Sequence, residues 1–242
     1  MTETLDAKVK ARTRELAEAL SAREDFLSIA SHELKTPLTS LKLEVQLAQR
    51  QINKFDPDKM SKILNNCLNQ TNVLNEFISD LLDDSRIRGG QLNLTKQKLN
   101  LSNLVVGVVD RLSQQLANAD IKTDLALEEN LFGQWDRHRI EQVMMNLVSN
   151  AIKYAPQASL HIQTKKIGAR ALLIVKDTGG GIQLDQPEQI FERYTRGNSE
   201  HSIGGLGLGL YIVKRIVEAH DGTISVQTRV NEGAEFLIEL PT

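Results

Sequence analysis

Ser31-His32-Glu33-Leu34-Lys35-Thr36-Pro37-Leu38 sets a histidine, an acid, a threonine and a proline on a run of leucines with helical spacing. Upstream, Leu5, Val9, Leu16, Leu20 and Leu27 lead to Leu34 in steps of four or seven, the seam of a coiled coil. Lys8, Arg12, Glu15, Glu18 and Arg23 run between them as a solvated face. Downstream, Leu38, Leu41, Val45 and Leu47 carry the pattern to the neighbourhood of Ile52. A helix of about 45 residues would be nearly ~70 Å long. No isolated domain buries such a rod, so it needs a partner helix and a partner chain. The partner helix follows at once. Phe55-Asp56-Pro57-Asp58 reads as a turn, and Met60, Ile63, Leu64, Cys67, Leu74, Ile78, Leu81 and Leu82 then recur at helical spacing until Gly89-Gly90. One helical hairpin buries too little surface to be stable, whereas two make a four-helix bundle. The expected state is a homodimer.

Beyond Gln91 the pattern changes. Short β-like runs at Leu92–Leu101, Ile121–Leu127, Ser159–Ile167, Ala171–Asp177, Thr223–Arg229 and Glu235–Leu240 alternate with helical runs at Ser102–Ala117, Arg137–Tyr154 and Leu208–Ala219. Strands grouped in pairs between helices predict an α+β two-layer sandwich. Ile182–Gly204 carries no periodicity and reads as a functional lid. The expected organisation is a coiled-coil linker at residues 1–22, a helical hairpin at 23–90 and the sandwich at 91–242.

Composition removes several function classes. Lys plus Arg (29) nearly balance Asp plus Glu (31), and aromatics make up only 4% of the 242 residues. Nucleic-acid binding by bulk charge or base stacking is therefore not expected. Cys67 is the single cysteine, so neither an internal disulfide nor a multi-cysteine zinc site is available. No stretch is apolar enough for a membrane span, and Met1–Lys10 lacks a signal-peptide core. This segment is expected in the cytoplasm without membrane contact, any anchor lying upstream in a longer protein.

Three common motifs fail. There is no Gly-x-x-x-x-Gly-Lys-[Ser/Thr] loop, and Gly205, Gly207 and Gly209 miss the last position of Gly-x-Gly-x-x-Gly. His32-Glu33 begins like His-Glu-x-x-His, but Thr36 stands where the second zinc ligand belongs. On the residues themselves, His32 sits on a helix between Ile29, Ala30 and Leu34, where its ring can point away from the bundle. A neutral imidazole can attack a phosphoryl group, and Glu33 can accept the other ring N–H. Pro37 removes the donor to the Glu33 carbonyl and predicts a kink. Thr36 lies one turn beyond His32, on nearly the same face. Asn146, Asn150 and Lys153 share one helix face, opposite Val143, Met144, Leu147, Val148, Ala151 and Ile152.

Five segments in order resemble the H, N, G1, F and G2 boxes of the sensor histidine kinases of two-component systems. They are SHELKTPL at 31–38, EQVMMNLVSNAIKY at 141–154, DTGGGI at 177–182, IFERY at 190–194 and GGLGLGL at 204–210. The resemblance runs from near Arg23 to the C-terminus. It implies a dimerisation and phosphotransfer hairpin followed by an ATP-binding domain of the gyrase, chaperone and mismatch-repair superfamily. It makes His32 the phosphoacceptor and Glu33 its general base, with Glu33 and Thr36 also supporting dephosphorylation of the partner. That partner is a response regulator receiver domain, fed by an upstream sensor that this chain lacks. In the nucleotide site it implies Asn150 as an oxygen ligand of Mg²⁺, with Asn146 beside it, Lys153 facing the phosphates of ATP and Tyr154 flanking the nucleotide. Asp177 would accept from the adenine amino group, with Gly179, Gly181 and Ile182 close to the base. Phe191 would anchor the lid, Arg193 would add positive charge, and Gly205, Leu206, Gly207, Leu208 and Gly209 would bring backbone N–H groups to the phosphates.

Two other readings stand beside this one. A hydrolysing ATPase of the same superfamily carries a glutamate four residues before the metal-binding Asn; Asn146 occupies that position here and cannot act as a base. A non-catalytic dimer scaffold is opposed by the intact Asn150, Asp177 and both glycine sets. His220-Asp221-Gly222 departs from the commoner His-Gly-Gly, a change that a left-handed Asp tolerates.

Overall fold

The computed structural model describes residues 13, 28–50, 56–90, 92–183, 186–195 and 206–242. The expected seam from Leu5 to Leu27, Phe55 of the turn, and 184–185 and 196–204 of the lid lie outside these residues. The chain forms two compact units, Met1–Ser79 with Gly204–Leu206, and Asp80–Ile203 with Gly207–Thr242.

The first unit is helical. Helix α1 (28–50) runs through Pro37, which is buried. On either side of that proline, Thr36 Oγ1 donates to the His32 carbonyl (3.2 Å) and Thr39 Oγ1 to the Lys35 carbonyl (2.7 Å). Helix α2 (Pro57–Arg88) starts with Pro57 at its first position, and Asp56 Oδ1 accepts from the N–H groups of Asp58 and Lys59 at 3.2 Å each. The Lys59 N–H and ammonium hold the Asp56 carboxyl below its usual range. Asn66 Nδ2 donates to Glu44 Oε1 across the hairpin (2.8 Å), and Ala30, Ile63 and Phe77 are buried. Helix α2 stops at Gly89-Gly90 as expected, with Gly90 at φ +63°.

The second unit takes in the last turns of α2 from Asp80 and is a two-layer α/β sandwich. Its main sheet has the order β2 (Lys122–Leu127), β4 (Ser159–Ile167), β5 (Arg170–Asp177), β7 (Gly233–Pro241) and β6 (Thr223–Arg229). The pairing of β2 with β4 is parallel and the other three are antiparallel. Helices α3 (Leu101–Asn118), α4 (Arg137–Tyr154) and α5 (Gly209–Ala219) supply the second layer. Val105, Val108, Val143, Val148, Ile212 and Ile216 from these helices meet Leu160, Leu173 and Ile238 in the core. Helices α3 and α4 are capped by Asn100 and Asp136, whose side chains accept from the N–H groups of Asn103 and Arg139.

Three expectations need correction. The extended run Leu92–Leu101 shrinks to β1 (Gln97–Asn100), because that strand pairs only with a short strand missed from sequence, β3 (Phe132–Trp135). Trp135 is fully buried, with Nε1 donating to the Pro241 carbonyl (2.9 Å). The segment read as wholly aperiodic after Ile182 contains a 3-10 turn, Pro187–Phe191, started by its proline and closed by burial of Ile190 and Phe191.

Candidate active site

His32 stands on α1 with 79% of its side chain exposed, and its Nδ1 lies 3.5 Å from Oε1 of the mostly covered Glu33. When Nδ1 carries the proton and faces this carboxylate, Nε2 keeps its lone pair and points to solvent. The arrangement leaves Nε2 open to solvent and sets Nδ1 within ion-pair reach of a carboxylate. Thr36 is exposed on the same helix, its hydroxyl spent on the His32 carbonyl.

In the second unit, α4 is held by buried Val143, Met144, Leu147, Val148 and Ala151. That leaves Asn146, Asn150 and Lys153 half-buried along its other side and Tyr154 exposed. Asp177 ends β5, and its Oδ1 accepts from the Gly179 N–H at 2.9 Å. Burial pushes the Asp177 carboxyl up, opposed by the N–H groups of Gly179 and Ala234. A partly desolvated carboxylate at a strand end is a strong acceptor for an amino group of matching shape.

Glycines close the ring around these residues. A Cβ on Gly179 would lie 2.4 Å from Ala155 Cβ, so the turn after β5 packs directly on the end of α4. Gly181 (φ +70°) has the Arg229 carbonyl 2.1 Å from the same hypothetical atom. Ile182 N–H donates to Thr228 Oγ1 (2.9 Å), which ties this turn to β6. Gly209, the first residue of α5, faces Asn146, whose Oδ1 would be 3.4 Å from a Cβ there. Among the described residues no side chain caps α5, and the N–H groups of its first turn are suited to an anion. Leu206 and Leu208 are buried, and Gly207 carries φ +65°. Gly205 lies outside the described residues.

The 190–194 segment is held by a ring contact and a backbone hydrogen bond. Phe191 is buried edge-on to Phe236, with centroids 6.4 Å apart. Tyr194 adopts φ +62°, and its N–H donates to the Gly207 carbonyl at 3.0 Å. Arg193 stacks over Tyr211, in the first turn of α5, at 4.6 Å, and its Nη2 donates to the Tyr211 hydroxyl at 2.6 Å.

Sequence reasoning missed the charged groups behind this site. Asp83 and Asp84, in the last turns of α2, are both buried. Arg139 Nη1 donates to Asp83 Oδ1 at 2.7 Å, and Gln142 Nε2 donates to Asp83 Oδ2 at 2.6 Å. Arg88 Nε donates to Asp84 Oδ2 at 2.9 Å, while Arg193 Nε lies 3.1 Å from Asp84 Oδ1. Gly233 was missed as well: at φ +88°, a Cβ there would sit 2.0 Å from the Asp177 carbonyl. Its place after Asn231-Glu232 in a β-turn was the available signal. His220 accepts from the Asp136 N–H on Nε2 (3.0 Å), and its Nδ1 faces the Ile216 carbonyl (2.8 Å). The neighbouring Asp221 carries φ +60°, the left-handed conformation expected of it.

No group of three or more His, Cys, Asp or Glu side chains that could hold a metal occurs among the described residues. Among them, too, no helix is long and apolar enough to cross a membrane.

Comparison with known proteins agrees with both units. Residues 22–90 match the family model described as His Kinase A (phospho-acceptor) domain. Residues 135–242 match the model described as Histidine kinase-, DNA gyrase B-, and HSP90-like ATPase. The chain is 34% identical over 226 residues to the sensor-like histidine kinase SenX3 of Mycobacterium tuberculosis, covering 91% of this chain and 54% of that protein. It is also 34% identical over 235 residues to the sensor protein KdpD of Escherichia coli, covering 95% of this chain and 26% of that one. The chain thus spans about half or less of the length of these relatives. Among solved structures, the Acinetobacter baumannii histidine kinase AdeS superposes with a TM-score of 0.67 at 28% identity, over 87% of this chain and 97% of that one. The histidine kinase ThkA, solved in complex with the response regulator protein TrrA, shares the fold with a TM-score of 0.65 at 24% identity, over 94% of this chain and 64% of that one. With an exposed histidine on a helical hairpin and an amide, carboxylate and glycine site on an α/β sandwich, the chain belongs to the sensor histidine kinases and comprises their catalytic core.

Proposed function

We propose that this chain moves the γ-phosphoryl group of ATP onto Nε2 of His32 and then onto an aspartate of a response regulator receiver domain. The observation that carries the proposal is the exposed His32 ring with Nδ1 turned to Glu33. The Nε2 lone pair forms the new P–N bond as the bond to the bridging oxygen of ADP breaks, while Glu33 holds the Nδ1 proton and stabilises the charge that develops on the ring. Asp177 accepts from the adenine amino group, Lys153 faces the phosphates, and the uncapped first turn of α5 receives them. The half-buried amide of Asn150, beside Asn146, suits a hard cation already carrying phosphate and water oxygens; Mg²⁺ bound there would neutralise charge on the transferred group.

The hairpin is proposed to work as a homodimer. Leu64, Leu68, Ile78 and Leu82 are exposed on α2 and are spaced, with Thr71 and Asn75, as a second heptad seam. Ile63 and Phe77 are buried on the other side of α2, and Asn66 on α2 bonds Glu44 on α1, so the outer seam is left for a second copy. Glu33 and Thr36 are proposed to support dephosphorylation of the regulator as well.

Incubation with γ-labelled ATP and Mg²⁺ tests the transfer. Label lost in acid and kept in alkali is expected, as for phosphohistidine. Release of inorganic phosphate with no protein-bound label would replace this reading with a hydrolysing ATPase.

A further inference from the structure

Asp84 holds Arg193 in a way that neither the fold nor the box pattern requires. The carboxylate is only 4% exposed, although Ser85, Arg86 and Arg88 in the next turn of the helix are exposed. One oxygen, Oδ2, is well used by Arg88 Nε at 2.9 Å. The other, Oδ1, faces Arg193 Nε at 3.1 Å, but out of line for a hydrogen bond, and both atoms are shut off from water. Arg193 is 31% exposed, and a carboxylate oxygen shut off from water and paired out of line recovers little of its desolvation cost, so the guanidinium is easily exchanged to a better partner. Arg193 also has somewhere to go. Its guanidinium lies over Tyr211, two residues after Gly209, where α5 begins without a side-chain cap. Its backbone is fixed on both sides, by buried Phe191 and by the Tyr194 N–H on Gly207, so only the side chain need move.

We propose that Asp84 is a positioning residue that withholds Arg193 from the nucleotide, competing with the terminal phosphate of ATP for the same guanidinium. This rests on the nucleotide site proposed above and adds a specificity element to it. Arg193 exchanges a misaligned carboxylate oxygen for phosphate oxygens that accept its fork bidentately. Because the competitor is a carboxylate at the end of α2, the affinity for triphosphate depends on where that helix end stands.

The test is a binding cycle on the full chain with ATP, ADP and adenosine. Asp84→Asn is expected to bind ATP about tenfold more tightly, the scale of one close charge pair, with ADP changed much less and adenosine unchanged. Its ATP affinity should also fall more steeply with salt. Arg193→Gln should abolish the gain when added to Asp84→Asn. An unchanged ratio of ATP to ADP affinity in Asp84→Asn, or a gain that survives Arg193→Gln, overturns the proposal. If Asp84→Asn does not fold, the wild-type chain still decides. Its Arg193 Nε–H resonance, assigned by its loss in Arg193→Gln, should shift with a non-hydrolysable ATP analogue and stay in place with ADP; no difference between the two overturns the proposal. Failure of the wild-type chain to bind ATP would instead remove the nucleotide site itself.

Discussion

In the hairpin, Leu38, Leu64 and Leu68 are 58%, 54% and 61% exposed, whereas Val105, Val108, Val143 and Ile212 of the second unit are fully buried. The two regions are stabilised by different means. The sandwich closes its core within one chain, with a sheet on one side and three helices on the other. The hairpin has one seam inside and another facing out, and each leucine taken from half exposed to buried would add about 1 kcal/mol. Chemistry divides the same way. In the reading proposed above, the hairpin carries its reactive atom in the open, where a second protein can reach it, and the sandwich sets its amides and carboxylate beside Gly179, Gly181 and Gly207, where a side chain would clash.

The sharpest break in this comparison is chemical. His32→Gln is expected to abolish acid-labile labelling, a loss limited only by detection, while leaving ATP affinity within about twofold, because the amide keeps the helix and removes only the nucleophile. Asn150→Asp should do the reverse, losing ATP affinity while keeping His32 competent. Mixed dimers of the two variants should label only if transfer crosses between copies. Acid-labile label persisting in His32→Gln would rule out His32.

The second break is structural. Leu64→Glu with Leu68→Glu places two carboxylates on the outer seam and should convert the chain from dimer to monomer in sedimentation. The hairpin should lose helical signal, since its remaining seam buries little. ATP affinity should persist, because no core residue of the sandwich is touched. A double variant that stays dimeric would assign the outer seam to another use.

The sandwich was the less legible of the two regions. Helix α4 and strands β4 and β6 fall where apolar periodicity puts them, because each has one buried face at regular spacing. Phe132-Gly133-Gln134-Trp135 offers only one buried aromatic, so β3 becomes a strand through pairing with β1, a contact that periodicity cannot display. Asp83 and Asp84 look like ordinary polar positions of a surface helix. Only folding brings Arg139, Gln142 and Arg193 onto them, and long-range ion pairs leave no local pattern. The boxes were legible for the opposite reason, since each packs its chemistry into a few consecutive residues. Gly233 shows the limit: it presses on Asp177 from 56 residues away in sequence.

A subtler contrast concerns pH. Burial holds the His220 imidazole below its usual range, and the ring is neutral, with Nδ1 donating to Ile216 and Nε2 accepting from Asp136. Protonation would set one N–H against another. A histidine depressed in the folded state contributes stability that is complete above its unfolded value of about 6.5 and is lost as pH falls below it. The sandwich should therefore resist urea better at about pH 7.5 than at about pH 5.5, and His220→Gln should flatten that difference. Asp177 has the opposite sign: its raised carboxyl binds a proton on folding, so its contribution improves as pH falls into the carboxylate range. Equal slopes in wild type and His220→Gln would place the pH dependence elsewhere.

The smallest expected effect on the fold is at Thr36. Its hydroxyl donates to the His32 carbonyl at 3.2 Å and its side chain is exposed, so Thr36→Ala removes one weak back-bond and gains helix propensity of up to about 0.7 kcal/mol. The melting temperature should hold or rise slightly. Function should separate where stability does not. The exposed hydroxyl lies one turn from His32, and while donating to the His32 carbonyl its oxygen can still accept, as a water beside a docked phosphoaspartate needs. Thr36→Ala should slow regulator dephosphorylation by about tenfold or more while autophosphorylation changes by less than about twofold, and Thr36→Ser should restore the first rate. Equal losses in both reactions would mean that the back-bond beside Pro37 shapes the helix around His32, and that the hydroxyl has no part in orienting water.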